Sequence, residues 1–291
     1  MSNQRVLVVG ASGLVGTNVV QDCRARGVDV TGTYRSEQTA TADVELDKTD
    51  EEQARSVFES VDPDAVVDTA AFHAVDDCET NRAKAWEVNA EGTFTLAALA
   101  NEFDAHYLYV SSDYVFAGNS DETPYRESDA VAPLNYYAET KYAAERAARV
   151  AERATIVRPS VIYGLESANF VTWALGELES GNAIDIVDDQ VSAPTYAPNL
   201  ARASVDLVTE GETGLYHATG PTSIDRYEFT QRLAEVFGYD TDLVRPISTE
   251  EFGQEAPRPT DSTLDSAALY EWLEWEFDTP KEAFESMQSA R

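Results

Sequence analysis

Apolar residues in the first half of the chain fall in short unbroken runs rather than in alternation. Val6-Leu7-Val8-Val9, Ala65-Val66-Val67, Tyr107-Leu108-Tyr109-Val110 and Thr155-Ile156-Val157 are each bounded by polar or turn residues. Such runs mark strands buried on both faces of a parallel sheet. Further strands are predicted at Val28 to Tyr34 and, briefly, at Val44 to Leu46. Between the runs the spacing becomes helical: from the Gly10 turn to about Arg26, over 50–60 behind an Asp cap, over 80–103, and from Asn135 onward. Strands alternating with helices predict an α/β fold, a Rossmann doubly wound parallel sheet.

Beyond Arg158 the rhythm changes. Helical stretches near 169–180, 198–209, 225–237 and 280–289 alternate with short apolar pieces at 184–187 and 214–217, and prolines punctuate them. The expected division is a dinucleotide-binding Rossmann domain over 1–162, to which 188–220 return. A smaller C-terminal α/β substrate lobe is then built from 163–187 and 221–291.

The first strand runs into Gly10-Ala11-Ser12-Gly13-Leu14-Val15-Gly16 and then a helix. Glycines in a strand–turn–helix setting let the backbone approach a pyrophosphate, whose charge meets amide groups at the helix N-terminus. Gly10, Ser12, Gly13, Leu14, Val15 and Gly16 are therefore candidate cofactor contacts. The second strand ends at Thr33-Tyr34-Arg35 and lacks the carboxylate that accepts from an NAD ribose. Arg35 suits a 2′-phosphate instead, which favours NADPH, with NADH as the alternative. Asp47 is expected at the adenine amino group with Lys48 beside it, and Ala70, Ala71 and Phe72 follow a strand end where small residues let a cofactor lie close.

Tyr137 and Lys141 stand four residues apart at the start of a helix, which places phenol and ammonium on one face. A fixed positive charge is expected to lower the tyrosine pKa and let the hydroxyl exchange a proton with substrate. Ser112 closes the Tyr107–Val110 strand and can reach the same point, so two hydroxyls would meet one carbonyl oxygen as it gains charge. The loop from Ala117 to Pro133 is expected to line this site. In the second half, Gln190 sits in a polar turn, and Arg258 offers a cation for a substrate phosphate or a salt bridge to neighbouring acids.

Composition changes the picture in one respect. With 53 acidic and 21 basic residues the net charge is −32. The acids are spread along the chain, so the charge reads as adaptation to a salty cytoplasm and excludes a nucleic-acid or anionic-membrane partner. Two cysteines, Cys23 and Cys78, give no disulfide framework, and with three histidines no zinc spacing is present, so no metal is expected. No run reaches the roughly 18 apolar residues of a membrane helix, and the first ten residues are too short for a signal peptide.

The glycine turn, Ser112 ahead of Tyr137-x-x-x-Lys141, and a C-terminal lobe resemble an extended short-chain dehydrogenase/reductase. A finer resemblance, to the dTDP-4-dehydrorhamnose reductases, rests on 69–76, 86–90, 112–116, 133–137, 189–195 and Arg258-Pro259 followed by Leu264-Asp265. The resemblance implies NADPH-dependent reduction of the 4-keto group of a nucleotide-linked deoxysugar. Tyr137 would be the proton donor, Lys141 would tune it and hold the nicotinamide ribose, and Ser112 would replace a usual Thr. Asp113 and Val161 would face the sugar, Val161 where the family commonly has Trp. A homodimer is compatible with it. The alternatives are a non-catalytic NADP-binding regulatory subunit resembling that of methionine adenosyltransferase and a related nucleotide-sugar epimerase or dehydratase, though the dehydratases carry Glu where this chain has Tyr114.

Overall fold

Six strands, β1 (Arg5–Val9), β2 (Asp29–Tyr34), β3 (Val44–Glu45), β4 (Ala65–Asp68), β5 (His106–Val110) and β6 (Ala154–Arg158), join the strand Gly214–His217 in one sheet. In space the order is Gly214–His217, β6, β5, β4, β1, β2, β3, and every pairing is parallel. The computed structural model describes residues 4–118 and 120–291; Met1–Asn3 of the N-terminal stretch and Asn119 of the 117–133 loop lie outside them. Strand order reverses between β1 and β4, and this opens a crevice beyond the C-terminal strand ends.

The unbroken apolar runs are explained by what covers them. Val6 and Val8 of β1 face a cluster with Val19, Val20, Leu200 and Val205, while Leu7 and Val9 face Phe58, Leu96 and Leu99. Both faces of the strand are thus dry, as period-two geometry requires of a doubly covered sheet. Helices α1 (Leu14–Ala25) and α2 (Glu51–Val61) supply opposite sides of that cover.

The helix expected over 80–103 is present from 82 to 102, but with a π-helical turn set into it. After α3 (Val75–Thr80) it runs without a gap as α4 (Arg82–Trp86), the π-helical turn (Glu87–Glu91) and α5 (Gly92–Glu102). The physical reason lies at Asn89, which accepts from the Phe72 amide at 2.8 Å and donates to the Phe72 carbonyl at 3.1 Å and the Thr140 hydroxyl at 2.9 Å. A wider turn lets this buried amide meet all three partners. Helix α6 (Tyr136–Ala148) follows, capped by the Asn135 side chain on the Ala138 amide.

Beyond β6, α7 (Phe170–Glu179), α8 (Ala197–Glu210), α9 (Arg226–Phe237), the short α10 (Thr249–Phe252) and α11 (Ala267–Leu273), and α12 (Pro280–Ala290) complete the chain. Strand Ile184–Val187 pairs in parallel with Val244–Ile247, and around them Leu175, Leu178, Phe229, Leu233, Phe284 and Met287 form a separate core. Side chains of α8 pack on the large sheet, and Gly214–His217 is its edge strand. Among the described residues no helix is long and apolar enough to cross a membrane.

Candidate active site

The glycine turn is built by contact. Gly10 has φ +83°, and a Cβ there would stand 3.0 Å from the Ala70 amide nitrogen; a Cβ on Gly16 would stand 2.4 Å from the Gly10 carbonyl oxygen. Only glycine fits either place. Gly13 caps α1 without a side-chain hydrogen bond, and no acid lies in the first turn that Leu14, Val15 and Gly16 begin. The amides there, with Ser12 in the turn itself, are free of a side-chain cap and suit a diphosphate.

At the end of β2, Leu46 donates its amide to the Tyr34 carbonyl, and this brings Arg35 close to Asp47. Burial pushes the Asp47 carboxyl up, but hydrogen bonds from the Thr49 amide and hydroxyl, with Lys84 and Arg35 nearby, leave it below its usual value. Lys48 departs from the expected cofactor contact. Its ammonium is buried on Asp68, the Thr93 hydroxyl and the Ala70 carbonyl, with Tyr107 completing the network on Asp68. A desolvated cation needs that many acceptors, so Lys48 props the 70–72 loop from beneath. Ala70 lies against Gly10, Ala71 is half-buried, and Phe72 is held by Asn89. His73 is exposed, while the Cys78 thiol is buried and donates to the Phe72 carbonyl.

The end of β5 brings Ser112 near the Tyr137 phenol, close enough for its hydroxyl to favour the ionised form. The Ser112 hydroxyl also donates to Asp113 at 3.1 Å and accepts from the Tyr114 amide at 3.2 Å. Asp113 does not face the crevice as expected. Its carboxylate is buried and takes hydroxyl bonds from Ser112, from Ser160 at 2.6 Å and from Ser262 at 2.5 Å. Burial raises the Asp113 carboxyl, and those three hydroxyls pull it back. Ser160 and Ser262 come from two distant stretches, and the sequence carried no sign of them.

Lys141 also differs from expectation. Its ammonium donates to the Val110 carbonyl at 2.6 Å and lies 4.4 Å from the centre of the Tyr109 ring. Burial, with Lys48 nearby, lowers the Lys141 pKa to about 7. Burial instead raises the Tyr137 phenol, with the nearby Ser112 hydroxyl opposing and Asp113 reinforcing it. The protein alone therefore holds a neutral phenol rather than an acidified one, because desolvation outweighs any charge on this face. One turn further along, Glu145 pairs with Arg158 and accepts from Ser111; both members of this ion pair are buried, and it ties α6 to β5 and β6.

Val161 has φ +39°, a strained backbone for a β-branched residue. Thr195 holds it there, donating its amide to the Ser160 and Val161 carbonyls. Gln190 donates to Thr249 at 2.8 Å and Gln254 at 2.6 Å, which joins the 188–190 turn to α10. Arg258 is paired with Asp76 at 3.0 Å and donates to the Ala256 carbonyl, so a salt bridge is present, but to a distant acid on α3 rather than to the neighbouring acids expected. The 117–133 loop is engaged with the C-terminal segment, where Tyr125 donates its amide to Thr263 and accepts from that of Asp265.

Residues 4–289 match the family model described as the RmlD substrate binding domain. The chain belongs to that family. A dTDP-4-dehydrorhamnose reductase of Mycolicibacterium smegmatis is 34% identical over 90% of this chain and 78% of its own length. A probable low-salt glycan biosynthesis reductase of Haloferax volcanii is 33% identical over 89% of this chain and 88% of its own. Among solved structures, a dTDP-4-dehydrorhamnose reductase of Bacillus anthracis in complex with NADP superposes with a TM-score of 0.91 at 28% identity, covering 99% of this chain and all of that one. For this member of the RmlD substrate binding domain family, the open α1 N-terminus and the Gly10–Ala70 approach therefore sit in the fold of an NADP-binding reductase.

Proposed function

We propose that the protein is an NADPH-dependent reductase of the 4-keto group of a nucleotide-linked deoxysugar, serving nucleotide-sugar and surface-glycan synthesis. The observation that carries it is the meeting of α6 with the C-terminal end of β5, where Lys141 donates to the Val110 carbonyl and Tyr137, one turn before it, stands near Ser112 and edge-on to Tyr114. When bound, a reduced nicotinamide supplies hydride to the sugar's C4. Tyr137 delivers the proton to O4, and its raised pKa keeps the phenol protonated until negative charge develops there. Ser112 steadies the same oxygen as its charge grows. Lys141 lies one turn behind Tyr137, where ribose hydroxyls would give its desolvated ammonium additional acceptors.

Gly10, Gly13 and Gly16 with the α1 amides take the pyrophosphate, and exposed Arg35 takes the 2′-phosphate. In this reading 1–162 with 188–220 bind the cofactor, while 163–187 and 221–291 bind the sugar nucleotide and Val161 borders the sugar. The free, buried Cys23 and Cys78 and the acidic surface support a cytoplasmic enzyme without nucleic-acid partners; the reading accommodates a homodimer.

The test is loss of nicotinamide absorbance with NADPH and dTDP-4-dehydro-6-deoxy-L-mannose in molar salt. Tyr137→Phe should remove most turnover and leave NADPH affinity nearly unchanged. Full turnover by that variant, or none by the native protein with any 4-keto nucleotide sugar, overturns the proposal.

A further inference from the structure

Arginines at the crevice are scarce, because acids outnumber bases 53 to 21. Arg35 is assigned to the cofactor end, and the other cations around the site are already engaged: Lys48 with Asp68, Arg158 with Glu145, Arg258 with Asp76, and Lys141 with the Val110 carbonyl. Arg226 differs. Among the described residues no carboxylate lies within 4.0 Å of it. Asp225 beside it caps the Glu228 amide, and Asp113, on which Arg226 acts through space, has its carboxylate filled by three serine hydroxyls.

Half-buried at the start of α9, the Arg226 guanidinium donates to the Tyr114 phenol at 3.4 Å and lies 5.8 Å from the centre of the Phe170 ring. The Tyr114 ring in turn stands edge-on to Tyr137, with centroids 6.3 Å apart. Arg226 is therefore one phenol's length beyond the ring that touches the proton donor. In a nucleotide sugar the diphosphate hangs from C1, across the ring from the C4 oxygen. A substrate with O4 at Tyr137 thus extends its phosphates toward Arg226. We infer that Arg226 anchors the diphosphate of the sugar nucleotide, the role the sequence had offered to Arg258. A planar guanidinium fork without a carboxylate partner is suited to two phosphate oxygens. Beside it Phe170 and Trp173, centroids 5.8 Å apart with their planes tilted by 41° and Trp173 47% exposed, offer an apolar ledge on the path of the base.

This inference rests on the reductase reading, and direct binding separates the two. Calorimetric titration of the full chain with dTDP and UDP, each against its nucleoside, is compared for native protein, Arg226→Gln and Arg226→Lys at one KCl concentration. The Gln variant is expected to bind the diphosphates roughly tenfold to a hundredfold more weakly and the Lys variant to fall between, because a point charge replaces a fork. Nucleoside and NADPH affinities stay within about twofold of native, and KM for the keto sugar rises more than kcat falls. Diphosphate binding that is absent from the native protein, or equal in native and Gln forms, overturns the inference, as does an equal loss of nucleoside binding. Arg226-dependent diphosphate binding by a protein that reduces no 4-keto sugar would sustain it while ending the reductase reading.

Discussion

Ser112 donates to Asp113 at 3.1 Å, and the same hydroxyl lies near the Tyr137 phenol. One hydroxyl thus stands between a buried carboxylate and the proposed proton donor. Removing it in Ser112→Ala should lower kcat by roughly 10² to 10³, the range for losing one oxyanion donor. Ser112→Thr should restore most of that, since it keeps the hydroxyl. Single-turnover rates with saturating NADPH check both.

Arg35 is exposed at the end of β2, close to Asp47. If it meets the 2′-phosphate, Arg35→Ala should weaken NADPH by about 1.5–3 kcal/mol, the worth of a charged hydrogen bond, and leave NADH unchanged. Fluorescence titration of both cofactors is the measurement. Equal use of NADH by the native protein would end the 2′-phosphate assignment.

Lys141 should make the cofactor-free protein less stable at neutral pH than at alkaline pH. Its pKa is about 7 when folded, against an ordinary 10.5, so between those values the unfolded chain binds more protons and stability rises with pH. Below about pH 7 the full cost of burying the ammonium is present. Lys141→Met should therefore stabilise the protein by about 1–3 kcal/mol at pH 6, and the gain should fade toward pH 10. Urea unfolding at fixed salt measures it.

His106 and His217 predict acid sensitivity that begins before the carboxylates titrate. Burial lowers them to about 4 and about 3 from the ordinary 6.5. The unfolded chain therefore takes up protons first as pH falls, and stability is lost from about pH 6.5 downward. With two such groups the slope should approach about 2.7 kcal/mol per pH unit near pH 5. Unfolding free energies between pH 7 and 5 decide, and a flat line there would contradict it.

Val161, with φ +39°, stores strain of about 1–3 kcal/mol by its backbone class. Val161→Gly should leave stability unchanged or raise it by about 1 kcal/mol. Its KM for sugar nucleotide should rise if the side chain borders the sugar. Denaturant midpoints and steady-state kinetics on the same preparation test both halves.

The large sheet was legible because its strands are buried on both faces, which leaves runs such as Val6–Val9 that no other element would carry. The glycine turn was legible because sterics at Gly10 and Gly16 admit no side chain. What stayed hidden depends on partners far away in sequence. Nothing local shows that Asp76 will take Arg258, that Ser160 and Ser262 will enclose Asp113, or that Lys48 will be buried on Asp68. Spacing put Lys141 beside Tyr137 correctly along the helix, but desolvation, which decides both pKa values, is a property of the assembled core.

The π-helical turn at Glu87–Glu91 makes helix phase part of the architecture. One surplus residue offsets everything before it from everything after it by roughly 100° about the axis. Excising Ala90 would barely shorten the rod. It would swing Asn89 off the Phe72 backbone and turn Trp86, now 41% exposed, toward a different neighbour. A single-codon deletion far from any reacting atom would thus loosen the cofactor-side loop, where most conservative substitutions on the same helix would pass unnoticed.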